Sequence, residues 1–303
     1  MRRRASRLRL VALAEDAGAP LGSFVAKRGG VVEPVAREAI ARGAAFLRGR
    51  RVRDPQATVR AGDRVEIDLR QPERPQLPRV LHLDPLLLAV DKPAGVLAQE
   101  GRGGGPALAD LCSTLLRERG EPDAALLVHR LDRGTTGVTV LARTRAAQSA
   151  LLEEFRQGRV AKEYLALCVG EPGTDEFAND AALGADPAHP GKRRPDPRGD
   201  PARTRFRVVR RLPGAALVAA FPETGRTHQI RAHLAALALP IAGDARYGGP
   251  RALTLPDGRR LDLTRPLLHA LSLALRHPEG THLTLRAPEP DDLSQAVRFL
   301  AGG

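Results

Sequence analysis

The sequence predicts an α+β protein, with a mixed, largely antiparallel central sheet and flanking helices, preceded by a small α/β unit at the N-terminus. Three observations predict it. Apolar runs of strand length alternate with stretches of helical period beyond residue 80. The order of these runs includes strands that follow one another through short turns, as an antiparallel sheet requires. A segment with three prolines and no periodicity, Gln71 to Pro78, separates this region from the first seventy residues. The expected division is residues 1–70, a linker over 71–79, and a main domain over 80–303.

In the first unit, Val35 to Ala45 reads as a polar helical stretch, and Gly29, Gly30 and Pro34 interrupt the region before it. In the run from Val59 to Ile67, alternation gives a short strand, and Gly62-Asp63 supplies the turn before it. In the main domain, strands are expected at Leu86–Val90, Leu126–Leu131 and Val138–Ala142, with a helix from Ala107 to Arg119. Ala147, Leu151 and Phe155 have helical spacing and predict a helix from Arg145 to Gln157, followed by a strand from Lys162 to Val169. Residues 171–202, rich in Pro, Gly and Asp, are expected to form a long exposed insertion. Paired strands at 203–211 and 215–221, a helix from Thr227 to Leu237, and strands near 267–276 and 281–286 complete the order.

The formal charge of the 303-residue chain is +13, and its basic side chains are nearly all arginine, with lysine only at 27, 92, 162 and 192. A guanidinium pairs bidentately with phosphate and stacks on bases, so this surface suits a polyanion, although compositional bias toward Ala and Arg would give the same charge. Cys112 and Cys168 lie outside any metal-ligand or disulfide spacing. The apolar stretch Leu10 to Ala14 ends at Glu15-Asp16 and is too short for a signal core or a membrane span. A cytoplasmic, monomeric protein with no membrane association is the expectation.

Four segments hold residues that strand and helix propensity do not require. Val90-Asp91-Lys92-Pro93-Ala94-Gly95 runs an apolar strand into a charged turn, which an ordinary strand ending would also explain. His129-Arg130-Leu131-Asp132-Arg133-Gly134-Thr135-Thr136-Gly137 places polar groups at a strand end, with Arg130 and Asp132 on one face if the backbone is extended. Lys162-Glu163-Tyr164 opens a strand in which Tyr164 shares the less apolar face with Ala166 and Cys168. Gly225-Arg226-Thr227-His228-Gln229-Ile230-Arg231 opens a helix in which Ile230, Leu234 and Leu237 form the buried stripe, and His228 and Arg231 stand one turn apart on another face.

Taken together, the runs His129–Gly137 and Gly225–Arg231 resemble the two signatures of the RluA family of pseudouridine synthases, over roughly residues 80–290. Lys92 to Gly95, Tyr164, Gly243 to Gly248 and Leu268-His269-Ala270 fall where that family has its other landmarks. The resemblance implies an enzyme that isomerises uridine in structured ribosomal or transfer RNA, without cofactor or metal. It implies Asp132 as the catalytic carboxylate, Arg231 as its partner, and Tyr164 as the aromatic that packs on the uracil. Arg130 would fill the space left by the target nucleotide and Leu268 would line the base pocket. His129, Thr135, Arg226, His228, Gln229 and Lys92 complete the implied substrate-binding set. The N-terminal unit resembles a degenerate ribosomal protein S-four-like (αL) RNA-binding module, through Arg42 to Val52 and the turn at Gly62-Asp63.

The chemistry needs such groups. The bond between ribose C1′ and the base nitrogen must break, the base must turn while held, and a bond to C5 must form. A carboxylate serves either by attacking the sugar or by removing its 2′ proton, and must be ionised for both. The nucleotide must also leave the stack, at a cost of a few kcal/mol. Two other readings compete: a nuclease or metal site using His129, His228, His233 and His269, which lack ligand spacing, and a catalytically silent RNA binder. The glycine run Gly101 to Gly105 lacks the Lys-Ser/Thr of a phosphate loop and reads as a plain loop.

Overall fold

The computed structural model describes residues 7–69, 77–98 and 107–302, which form two compact units divided after residue 75. Most of the expected linker, and the Gly101 to Gly105 loop, lie outside the described residues.

The first unit contains β1 (Arg7–Val11), α1 (Leu21–Gly29), α2 (Glu33–Ala41), β2 (Ala45–Leu47), β3 (Arg50–Val52) and β4 (Arg64–Asp68). Its sheet has the order β1-β4-β2-β3. Leu21, Phe24 and Val25 of α1 and Ala36, Ala39 and Ile40 of α2 close over Val65 and Ile67 of β4. Each large side chain so buried contributes about 1.5–3 kcal/mol. The glycines and proline that seemed to interrupt a helix instead separate two. Gly30, at φ 63°, ends α1 in the left-handed region, and Pro34 sits in the first turn of α2, where no amide hydrogen is needed.

In the second unit follow β5 (Arg79–Leu83), β6 (Leu87–Lys92), α3 (Leu108–Glu118), β7 (Leu126–Leu127), β8 (Thr136–Ala142), α4 (Arg145–Arg156), β9 (Ala161–Val169), β10 (Glu176–Asn179), β11 (Leu183–Ala185) and β12 (Arg193–Pro195). Then come β13 (Thr204–Leu212), β14 (Ala215–Pro222), α5 (Gln229–Ala236), β15 (Ala252–Thr254), β16 (Arg260–Asp262), β17 (Leu268–Arg276), β18 (His282–Arg286) and α6 (Asp291–Leu300). A ten-stranded sheet runs β10-β13-β14-β9-β17-β8-β6-β5, with β18 beside β17 and β7 beside β8. Its described pairings are antiparallel except β17 with β8, at its centre.

Helices cover both faces because the strands are apolar on both. Along β6, Leu88 and Val90 pack under Leu108, Cys112 and Leu116 of α3, and Leu87 and Ala89 join the cluster with Ala147 and Leu151 of α4. Along β9, Leu165 and Leu167 face Leu293 and Leu300 of α6, whereas Ala166 and Cys168 face Ile230 and Leu234 of α5. Tyr164 lies on the α5 side, the side on which the site is built.

Three expectations need correction. The strand over Leu126–Leu131 keeps only its first two residues, so Asp132 lies in irregular backbone and extended-strand alternation does not place it with Arg130. The insertion over 171–202 is folded: β10 joins the main sheet and β11 pairs with β12. α5 begins at Gln229, because His228 is left-handed at φ 56°, and Leu237 lies beyond its last residue and is 38% exposed.

Candidate active site

Asp132 is placed by a turn between β7 and β8, whose Thr135 N–H donates to the Asp132 carbonyl at 3.1 Å. The turn is fixed from below by Arg265, which donates to the carbonyls of Gly134 (3.2 Å) and Leu268 (3.1 Å) while gripping Asp292 of α6 through two nitrogens. Gly137 then lets β8 meet β17. It sits at φ 111°, and a Cβ there would lie 2.2 Å from the Ala270 carbonyl oxygen. The Asp132 side chain remains 27% exposed, at the wall of a cleft of about 720 Å³.

Arg231 comes from the buried face of α5. Its Nη1 donates to Asp132 Oδ2 at 2.9 Å, while Nε and Nη2 grip the two oxygens of Asp244 at 2.6 and 2.8 Å. Asp244 is 1% exposed, and the guanidinium also lies 4.9 Å from the centre of the Tyr247 ring. Burial works against the charge of Arg231, but the hydrogen bonds and charges of Asp244 and Asp132 outweigh it and raise its pKa. One permanent cation thus lies between two carboxylates, of which only Asp132 lines the cleft.

Tyr164 lines the cleft from β9; burial, then the charge of Asp132, pushes its phenol above the ordinary range and keeps it protonated at neutral pH. Leu268 and Thr135, both buried, also line it. Arg130 is exposed at its rim and donates to Thr227 Oγ1 at 2.9 Å, and Arg226 donates to the Pro201 carbonyl at 3.0 Å. His228 turns its Nε2 to within 3.7 Å of Asp132 Oδ2, and its Nδ1 lies 3.0 Å from the Tyr247 hydroxyl.

Three residues of the expected substrate-binding set have other employment. Lys92 does not line the cleft: fully buried, it donates to the carbonyls of Pro93, Val96 and Arg133, and burial lowers its pKa to about 8. It ties one turn to the other. Gln229 borders the cleft, but its amide is used within the protein. The carbonyl accepts from Thr224 Oγ1 and the Arg226 N–H, and the nitrogen donates to the Arg203 carbonyl and Thr204 Oγ1. His129 Nε2 accepts from the Val140 N–H at 2.9 Å and its ring stacks on Phe155; burial lowers its pKa to about 3, so it is a neutral brace.

The other two histidines of the competing reading, His233 and His269, are engaged within the protein. His233 bonds Thr204 Oγ1 and the Ala181 carbonyl, and His269 bonds Thr136 Oγ1. Among the described residues, no helix is long and apolar enough to cross a membrane. Asp244 and Tyr247 were not singled out in the sequence. They fall within the run Gly243 to Gly248, which the resemblance takes as a whole as one of its landmarks.

The chain also matches known proteins in sequence and fold. Residues 86–236 match the family described as RNA pseudouridylate synthase. The ribosomal large subunit pseudouridine synthase D of Nitrosomonas europaea is 38% identical over 232 residues, 73% of this chain and 66% of that protein. The ribosomal large subunit pseudouridine synthase C of Escherichia coli O157:H7 is 32% identical over 97% of both chains. Among solved structures, Human RNA Pseudouridylate Synthase Domain Containing 4 matches with a TM-score of 0.60 and 27% identity, over 73% of this chain and 92% of that one. The chain belongs to the RluA family of pseudouridine synthases, and is an RNA-modifying isomerase.

Proposed function

We propose that this enzyme isomerises uridines of ribosomal RNA, with Asp132 as the carboxylate that acts on the ribose of an extruded nucleotide. The observation that carries this reading is the 2.9 Å pair between Asp132 and Arg231 at the wall of the cleft. It leaves a part-exposed acid beside a permanent cation, with an aromatic and an aliphatic side chain nearby to hold a base. The names of the curated relatives support ribosomal RNA as the substrate.

On this reading Tyr164 packs against the uracil, Leu268 and Thr135 bound its pocket, and Arg130 leaves Thr227 to fill the vacated stack. Arg226 and the Arg-rich surface meet phosphates, whose contacts offset the few kcal/mol of unstacking. The first unit adds a second RNA-binding surface. No group other than the chain's own side chains is needed for the isomerisation, since nothing is oxidised and no phosphoryl moves.

The test is release of tritium from RNA labelled at uridine C5. The wild type should release it and Asp132→Ala should not, with RNA binding near normal in both. Release by the variant would end the assignment. Mapping pseudouridines in total RNA with and without the gene identifies the substrate; sites confined to transfer RNA would overturn the ribosomal assignment.

A further inference from the structure

Arg231 and His228 approach the same oxygen of Asp132. Arg231 Nη1 donates to Oδ2 at 2.9 Å and His228 Nε2 lies 3.7 Å from it, while Oδ1 enters no hydrogen bond among the described residues. What His228 can offer that oxygen depends on which ring nitrogen carries hydrogen, and the opposite side of the ring supplies the answer.

Tyr247 Oη accepts from the backbone N–H of Arg193 at 2.8 Å, lies 3.0 Å from His228 Nδ1, and makes no other hydrogen bond among the described residues. Its own hydrogen is free to go to Nδ1, an arrangement in which the hydroxyl accepts once and donates once. An Nδ1 that accepts leaves the single hydrogen of a neutral imidazole on Nε2, the nitrogen that faces Asp132. The ring is neutral because burial, reinforced by Arg231 and Arg246, lowers its pKa more than Asp132 and Asp244 raise it. The backbone gives a second sign. A left-handed φ of 56° strains a non-glycine residue, and such strain tends to gather at functional sites.

We propose that Tyr247 and His228 form a positioning relay, which runs from the start of β12 to Asp132 and fixes His228 as an Nε2–H donor. With Arg231 it holds Oδ2 and leaves Oδ1 as the oxygen that meets the ribose. The proposal rests on the reading of Asp132 as the catalytic carboxylate. It also gives the folded insertion a task, since Arg193 supplies the backbone donor that sets the Tyr247 hydroxyl.

The experiment uses Tyr247→Phe, which removes the hydroxyl and keeps the ring beside Arg231, together with His228→Gln and His228→Ala. Long-range proton–nitrogen spectra of the ¹⁵N-histidine-labelled full chain, with His228→Gln assigning the signal, should show the Nε2–H tautomer in the wild type and a mixture in Tyr247→Phe. That variant should lose about tenfold to a hundredfold in kcat with little change in KM. The acid limb of its pH profile should move to higher pH, because the free Nδ1 takes a proton more readily. His228→Gln, whose amide N–H can replace Nε2–H, should keep more activity than His228→Ala, both variants bearing the same backbone strain. An Nδ1–H tautomer in the wild type, or an unchanged kcat and pH profile in Tyr247→Phe, would overturn the relay. Tritium release by Asp132→Ala would instead overturn the reading beneath it, whatever the tautomer.

Discussion

Arg231 holds two acids in different ways, and the difference decides what each substitution does. Asp244 is buried and takes two of its nitrogens, whereas Asp132 takes one at the cleft. Asp244→Asn should therefore cost stability, about 3–5 kcal/mol in urea unfolding, because it leaves a buried cation without its main partner. Asp132→Asn should cost little stability and nearly all activity, as checked by thermal melting beside tritium release. His129 gives a pH test. Its folded pKa of about 3 lies below the ordinary 6.5, so the unfolded chain binds the extra proton between these values. Stability should be complete above pH 6.5 and decline as pH falls toward 3, and His129→Gln should remove that part of the slope. At this scale the sequence was legible where chemistry demands a rare combination, as in Asp132 and Arg231. It misled at Lys92, because a buried lysine tied to carbonyls and a ligand-facing one look alike in a turn.

Elements were legible where a period is sustained: α3, α4, β9, β13 and β14 lie close to their expected ranges. The start of α5 was not, since the left-handed turn at His228 is fixed by packing on Tyr247 rather than by local propensity. Nor was α6, whose apolar stripe has meaning only against Leu165 and Leu217. Two substitutions test how the elements are held. Thr144 caps α4 by accepting from the Ala147 N–H at 3.1 Å, so Thr144→Ala should cost about 1 kcal/mol in urea unfolding and leave activity intact. Gly137→Ala should cost at least about 3 kcal/mol, because its Cβ would overlap β17 backbone and force the central strands apart.

For the molecule as a whole, each unit has its own buried cluster, so each meets the first requirement for folding alone. A chain of residues 77–303 should fold and retain tritium release on a short RNA substrate, with weaker binding than the full chain; measured binding equal to the full chain would remove the RNA-contacting role assigned to the first unit. The charge of +13 predicts affinity falling steeply with salt, and a flat dependence in filter binding would contradict docking through phosphates.

The parallel pairing of β8 with β17 also bears on when the site is assembled during synthesis. Asp132 leaves the ribosome 99 positions ahead of Arg231, and the strand that joins their two halves of the sheet starts only at Leu268. Such distant closure is slow relative to local hairpins. On the reading of Asp132 as the catalytic carboxylate, a nascent chain has no assembled acid–guanidinium pair, and chemistry begins only after translation has passed the last central strand.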